Sequence, residues 1–275
     1  MRFGVHLPHI GRKATPALIR DAALQAEALG FDDVWVSEHI IVPAGAPYPP
    51  SPAFYDPVLT LTWAAAVTRH VRLGTSVLVL PMRHPLPLAK ELATLQNLSE
   101  GRLILGAGVG WMEAEFEALG APFHERGKRM DEGLALMRAV WTEDPVTFPT
   151  THIPARVEAM RMQPMPHAPI PVWIGGASDA ALARAARHDG WHGSRVAPDQ
   201  APALVAKLRA RRPDPGFALS LRVRWDSADP AAMRAAFAAY AAAGIGHLLV
   251  EPQERDGDAW LRAIEAIAAA RDARG

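Results

Sequence analysis

Apolar positions recur at two periods along this chain, about two residues in short runs and about 3.6 in the stretches between them. The short aliphatic runs predict eight strands: Phe3–Leu7, Asp33–Ser37, Val71–Val77, Arg102–Ala107, Val172–Gly175, Gly190–Ser194, Ala218–Trp225 and His247–Glu251. The Ala/Leu-rich stretches predict eight amphipathic helices, over 16–29, 57–69, 86–100, 128–141, 179–188, 201–211, 230–243 and 258–271. Thr15-Pro16, Asp56-Pro57 and Asp229-Pro230 mark helix starts. Each pairs a side-chain oxygen that can accept from orphan N–H groups with a proline that needs no N–H partner. Gly30, Gly101 and Gly244 follow the last periodic residue and suit left-handed C-terminal caps.

Eight strand–helix units in 275 residues predict an α/β fold, a single (β/α)8 TIM barrel over 1–275. The competing architecture is an open doubly wound sheet. Against it, the first strand is followed by His6-Leu7-Pro8-His9 rather than by a glycine-rich dinucleotide fingerprint. The interval between the fourth and fifth strands is the longest. Helix 128–141 fills part of it. The rest, about 142–169, holds Pro145, Pro149, Pro154, Pro164, Pro166 and Pro169 and reads as an insertion between helix 4 and strand 5, a candidate lid.

Charge and composition narrow the function. Lys+Arg and Asp+Glu are both 29, so no basic field is available for a phosphate backbone, and no nucleic-acid partner is expected. The stretch Lys207-Leu208-Arg209-Ala210-Arg211-Arg212 reads as a solvated helix end. The absence of cysteine excludes disulfides, thiolate nucleophiles and Cys-ligated metals. The N-terminus reaches His6 before a signal-like core forms, and no apolar run approaches the ~20 residues of a membrane span. The expectation is a soluble, cytoplasmic protein with no membrane partner.

In such a barrel the active site lies at the C-terminal ends of the strands. Strand alternation then sorts the residues. Phe3, Val5 and Leu7 face the helices, so His6 points inward near the top. Val34 and Val36 face outward, which turns Trp35, Ser37 and His39 inward, with His39 at the mouth. Leu221 and Val223 leave Arg222 and Arg224 inside, and Leu248 and Val250 leave Glu251 at the mouth. His6 is either a site residue or a core histidine satisfied by a backbone carbonyl. Arg222 and Arg224 either contact substrate or pair with carboxylates inside the barrel. Gly106, Gly108 and Gly110 after strand four either leave room for a flat ligand or make a close turn. Gly175-Gly176-Ala177-Ser178 after strand five opens a helix, where free N–H groups attract phosphate or simply close a tight turn. His6 and His9 are spaced i, i+3 across Pro8, not i, i+2 on one strand face, so no metal is expected.

Several runs together resemble one family. Leu73-Gly74-Thr75-Ser76-Val77-Leu78-Val79-Leu80-Pro81-Met82-Arg83-His84-Pro85 is similar to a third strand and turn of the luciferase-like flavin-dependent oxidoreductases. Lys90–Leu95, Ser99–Gly106, Gly108-Val109-Gly110-Trp111, Glu115–Gly120, Arg126-Gly127, Pro171–Gly176 and Asp189-Gly190-Trp191 continue the likeness. It thins after about residue 195. Within the family the chain resembles the branch that uses the deazaflavin coenzyme F420.

The resemblance implies a non-prolyl cis peptide at Ser76-Val77 that supports the coenzyme ring from behind. It implies that Glu38-His39 is an acidic–histidine pair, with His39 exchanging a proton beside the ring, a role an imidazole fills near neutral pH. Gly175, Gly176 and Ala177 would cradle the coenzyme phosphate, with Ser194 assisting. Trp111 stands where the family's sugar-phosphate dehydrogenase places an acid, which argues against that substrate chemistry. Trp35, Trp111 and Met112 either face a largely apolar small organic substrate or pack as an aromatic core. The expected function is F420-dependent hydride transfer. The alternatives are an FMN-dependent monooxygenase, a non-catalytic flavin- or F420-binding protein and a metal hydrolase. Family members often dimerise, and a neutral, Ala-rich exterior permits a homodimer.

Overall fold

The computed structural model describes residues 1–273. The chain runs β1 (Arg2–His6), α1 (Pro16–Ala28), β2 (Asp33–Val36), α2 (Pro57–Val67), β3 (Arg72–Thr75), β4 (Leu78–Val79), α3 (Pro85–Leu98), β5 (Leu103–Gly108), α4 (Glu113–Ala118) and α5 (Arg126–Thr142). It continues with β6 (Val146–Phe148), β7 (Val157–Met160), β8 (Val172–Gly175), α6 (Asp179–Ala185), β9 (Gly190–Ser194), α7 (Ala201–Arg211), β10 (Ala218–Arg224), α8 (Pro230–Ala242), β11 (His247–Glu251) and α9 (Gly257–Asp272).

The caps read from sequence are made. Side-chain oxygens of Thr15, Asp56 and Asp229 accept from the N–H groups of Leu18, Leu59 and Ala232, each with proline next in the chain. The helices so started cover a ring of parallel strands in the order β3-β2-β1-β11-β10-β9-β8-β5. Pairing of Leu73 with Leu103 and Gly74 with Ile104 joins β3 to β5 and closes the barrel. The fold is therefore a (β/α)8 TIM barrel. No helix among the described residues is long and apolar enough to cross a membrane.

Alternation divides the core in two. Phe3, Val5, Val34, Val36, Leu221, Val223, Leu248 and Val250 join the large cluster between sheet and helices. Trp35, Ile104, Trp173 and Leu249 form a separate cluster inside the barrel. Trp35 fills most of that space, which is why Gly74 must be glycine: a Cβ there would stand 2.2 Å from the Trp35 ring.

Two expectations are corrected. The third strand is not continuous over Val71–Val77. It stops at Thr75, turns through Ser76 and Val77, and resumes as β4. The 142–169 insertion does contain a hairpin, β6 pairing antiparallel with β7. It lies along the outer wall rather than over the mouth. Gln96 Nε2 donates to the carbonyls of Ala168 and Pro169, and Asn97 Nδ2 donates to that of Met165. Glu132 on α5 accepts from the N–H groups of Thr151, His152 and Ile153. The segment that reaches over the mouth is the β2–α2 connection, tied to the loop after β1 by an antiparallel bridge between Ile10 and Phe54.

Candidate active site

The break in the third strand shapes the mouth. The Ser76–Val77 peptide is cis, as the family resemblance implied. The strands beside it carry glycine because this bulge takes their Cβ space. A Cβ on Gly106 would stand 1.8 Å from the Thr75 carbonyl oxygen, and one on Gly108 would stand 2.5 Å from Val77 Cγ2. Gly110 faces Phe116 and Val79 in the same way. Of the two readings open for Gly106, Gly108 and Gly110, the structure therefore selects close packing. The room lies filled by protein, not vacant above the glycines. Gly175 also backs Val77, with 3.1 Å from its Cβ position to Val77 Cγ1. Gly176, at φ +104, and Ala177 are exposed at the start of α6.

His39 stands at the mouth beside a carboxylate, and that carboxylate is Glu115 on α4. His39 Nδ1 and Glu115 Oε2 are 2.9 Å apart. Glu115 Oε1 accepts from the N–H groups of Ile40 at 2.6 Å and Ile41 at 3.2 Å. Burial alone would raise the Glu115 pKa. The hydrogen bonds from His39 and the Ile40 N–H outweigh it and lower the pKa below the usual value. An ionised carboxylate only accepts, so His39 Nδ1–H donates to it. His39 Nε2 is then the atom left to take or give a proton. Phe54 and Trp111 meet the imidazole edge-to-face at 5.1 and 6.0 Å. Tyr48 lies 5.9 Å from Trp111, and Trp111 is 57% exposed on the rim.

Glu38 points elsewhere. Its carboxylate is buried, accepts from the Val79 N–H at 2.6 Å, and pairs with Arg83. Arg83 also bridges to Asp56 at 2.7 Å. Glu38 thus anchors β4, the segment just after the cis peptide, and touches the mouth through the shape of that segment. The expected Glu38–His39 pair is not a contact here: each residue has a different partner.

A second polar group closes the barrel below the mouth. Arg222 Nη1 donates to Ser37 Oγ at 2.8 Å and to the Ser76 carbonyl at 3.1 Å. Its other edge pairs with Glu251, Nη2 to Oε1 at 2.8 Å. Ser37 Oγ in turn lies 2.6 Å from His6 Nε2. Arg222 and Glu251 therefore pair inside the barrel, and Ser37 Oγ links Arg222 to His6. Arg224 is exposed at the rim, in register with Glu251, and Ser194 is exposed at the end of β9. His9 Nε2 accepts from the Ser37 N–H at 3.0 Å. Burial, with Arg222 close by, holds His6 well below its usual pKa. Burial also takes His9 down to about 4 against the opposing bond to Leu7. Both rings are neutral near pH 7. Among the described residues, no group of three or more His, Asp or Glu side chains could hold a metal ion.

Sequence reasoning missed Glu115, Arg83, and the mouth aromatics Tyr48 and Phe54. Glu115 carried a usable signal. Met112 and Phe116 are spaced i, i+4, which buries one face of a short helix and takes the adjacent Glu115 inward with it.

A closed parallel barrel with an imidazole–carboxylate pair at the C-terminal rim defines an enzyme-type site. Comparison gives the family: the luciferase-like monooxygenase model matches residues 1–274, and the chain belongs to that family of oxidoreductases. An uncharacterised protein of Mycobacterium tuberculosis is 33% identical over 206 residues, 70% of this chain and 71% of the relative. The F420-dependent glucose-6-phosphate dehydrogenase of Kineococcus radiotolerans is 36% identical over 168 residues, 58% of this chain and 46% of that enzyme. Among solved structures, an F420-dependent secondary alcohol dehydrogenase in complex with an F420–acetone adduct superposes with a TM-score of 0.82 at 17% identity, covering 98% of both chains.

Proposed function

We propose that this protein is an F420-dependent oxidoreductase that moves a hydride between the deazaflavin and a small, largely apolar organic substrate. The observation that carries the reading is the His39–Glu115 pair on the same barrel rim as the Ser76–Val77 bulge. The residues fit such a coenzyme. The bulge, backed by Gly108 and Gly175, is a wall without long side chains, and the exposed Gly176–Ala177 turn allows a phosphate to approach the backbone. The similarity to an F420-dependent dehydrogenase supports F420 over FMN.

When bound, the deazaflavin supplies the hydride chemistry. The protein supplies the rest. Glu115 holds His39 with Nδ1 protonated, so that Nε2 accepts or returns the substrate proton. Phe54 and Trp111 border the imidazole with apolar surface, which Tyr48 extends beyond Trp111. Glu38 and Arg83 hold the bulge in place through Val79. The same reading includes a homodimer: Leu59 and Trp63 on α2 are 71% and 46% exposed, an apolar surface suited to a second copy.

The deciding experiment titrates the protein with F420 and separately with FMN, by fluorescence. Tight F420 binding with weak FMN binding is expected. Preference for FMN overturns the coenzyme assignment and makes oxygen consumption the next assay. With a substrate found by following F420 absorbance, His39→Ala should reduce turnover ~10²- to 10⁴-fold with little change in coenzyme affinity. Unchanged turnover removes His39 from the reaction.

A further inference from the structure

An unbroken line of hydrogen bonds climbs the barrel interior from floor to mouth. At the floor, Asp33 begins β2 and its Oδ1 lies 2.8 Å from His247 Nε2, on the first residue of β11. His247 Nδ1 lies 2.6 Å from Ser220 Oγ on β10. Ser220 Oγ lies 2.7 Å from His192 Nδ1 on β9. His192 Nε2 lies 2.8 Å from Ser76 Oγ, at the cis peptide that forms the wall of the mouth. Asp33, His247, Ser220, His192 and Ser76 are all buried. Trp35 stacks on the His192 ring at 4.9 Å and 8°, so the relay is also held sideways.

Such a line has a direction. Ser220 has one hydroxyl proton and faces Nδ1 of both imidazoles, so one Nδ1 carries hydrogen and the other does not. The choice is made at the floor. Asp33 accepts from Trp35 Nε1 and pairs with Arg72 at 2.7 Å as well as facing His247. These partners, His247 foremost, outweigh burial and hold its pKa at about 2. Asp33 is thus an acceptor only, and His247 donates through Nε2. A singly protonated His247 places that proton on Nε2 against Asp33 and leaves Nδ1 bare. With His247 Nδ1 bare, Ser220 donates to it and accepts from His192 Nδ1–H. His192 Nε2 then accepts the proton of Ser76.

We infer that Asp33 acts as a remote positioning residue for the coenzyme site: through His247, Ser220 and His192 it commits the Ser76 hydroxyl proton to the barrel interior, so that Ser76 Oγ offers only lone pairs toward the mouth. Ser76 therefore recognises a hydrogen-bond donor on the edge of a bound ring and repels an acceptor there. The ring in question rests on the F420 reading, whereas the direction of the line is a property of the protein alone. Asp33 is a fixed end rather than a proton source, because it stays ionised throughout the neutral range.

The test begins with the unaltered protein. Side-chain ¹⁵N NMR at pH 7 should show His192 protonated on Nδ1 and His247 on Nε2. A His192 ring protonated on Nε2, or a doubly protonated His247, reverses the line and overturns the inference. Ser220→Ala, which cuts the line without touching the mouth, should leave His192 in a mixture of tautomers. It should also weaken F420 binding about fivefold, the order expected for one neutral hydrogen bond. Full F420 affinity in folded Ser220→Ala protein refutes the coupling to the mouth. If the unaltered protein binds no F420 the coenzyme assignment fails, while the tautomers still decide the direction of the line.

Discussion

Acid should unfold this protein through its interior histidines. His9 is fully enclosed, and His6 and His192 are each 4% exposed. Burial, helped by His247 and Arg222, takes His192 down to about 3, and burial takes His9 down to about 4. Burial and Arg222 push His6 in the same direction. In the unfolded chain each ring returns to about 6.5. Below that pH the unfolded chain binds protons that the folded chain refuses. Stability therefore falls as pH falls from about 6.5, and the loss ends only as pH passes the folded values. Each such ring costs about 1.4 kcal/mol per pH unit once its unfolded form is fully protonated, so His9 and His192 together remove about 2.5 kcal/mol between pH 6 and 5. His6 adds to that loss. Glu38 opposes it, because burial raises its pKa despite Arg83 and it gains protons earlier when folded. Against a typical stability of roughly 5–15 kcal/mol, the net effect is large. Urea unfolding at pH 7, 6 and 5 reads it as a falling midpoint at constant slope. His192→Gln should make the pH dependence shallower by nearly one proton. A midpoint that stays level between pH 6 and 5 would refute the reasoning.

Three further substitutions test the remaining contacts. Glu115→Gln has one oxygen for the N–H groups of Ile40 and Ile41 and turns its NH₂ toward His39 Nδ1, so the His39 proton should move to Nε2 and turnover fall ~10²-fold or more; an unchanged tautomer by NMR counts against this. The same substitution should lower stability by about 1.5–3 kcal/mol at neutral pH. The deficit should vanish as pH falls through the lowered Glu115 pKa, since the wild-type carboxylate then loses its advantage. Gly106→Ala drives a Cβ into the Thr75 carbonyl and should cost about 3 kcal/mol or more, read as a lower melting temperature; a shift within a degree would show that the bulge can yield. Gly176→Val places a β-branched residue at φ +104, with its Cβ 3.0 Å from Ala181 Cβ, and should weaken coenzyme binding while also lowering stability by about 1–3 kcal/mol; unaltered affinity in the folded variant would return that turn to a structural role.

The barrel was legible because each of its rules is local. Period-two runs, proline-backed caps and glycine stops depend on residues a few positions apart, and Thr15, Asp56 and Asp229 cap as their neighbours demand. Alternation also turned Trp35 into the barrel, since a strand face is fixed by its aliphatic partners, but Arg224, read as inward by the same rule, is exposed at the rim. The break at Ser76–Val77 lay beyond periodicity. Its residues are as β-forming as their neighbours, and only resemblance to a family pointed to the cis bond. The insertion was read as a lid from length and proline content alone. Those features say nothing about where a segment docks, which was decided by carbonyls meeting Gln96 and Asn97 on α3.

The site was harder for the same reason that the barrel was easy. Glu38 sits next to His39 in sequence, but β2 ends at Val36, so the packing of the loop and not strand alternation decides where each side chain goes. Glu38 meets Arg83 and Val79 behind the mouth, and the carboxylate that reaches His39 comes from 76 positions away. His39 thus takes its acceptor from a different loop, the one after β5. The short α4 supplies it. Its apolar Phe116 anchors in the core, and the Glu beside it is carried under the β2–α2 connection, where His39 and two backbone N–H groups hold its pKa down. In a related chain, the partner of such a histidine should therefore be sought between the fourth strand and the following long helix, one residue before a buried aromatic.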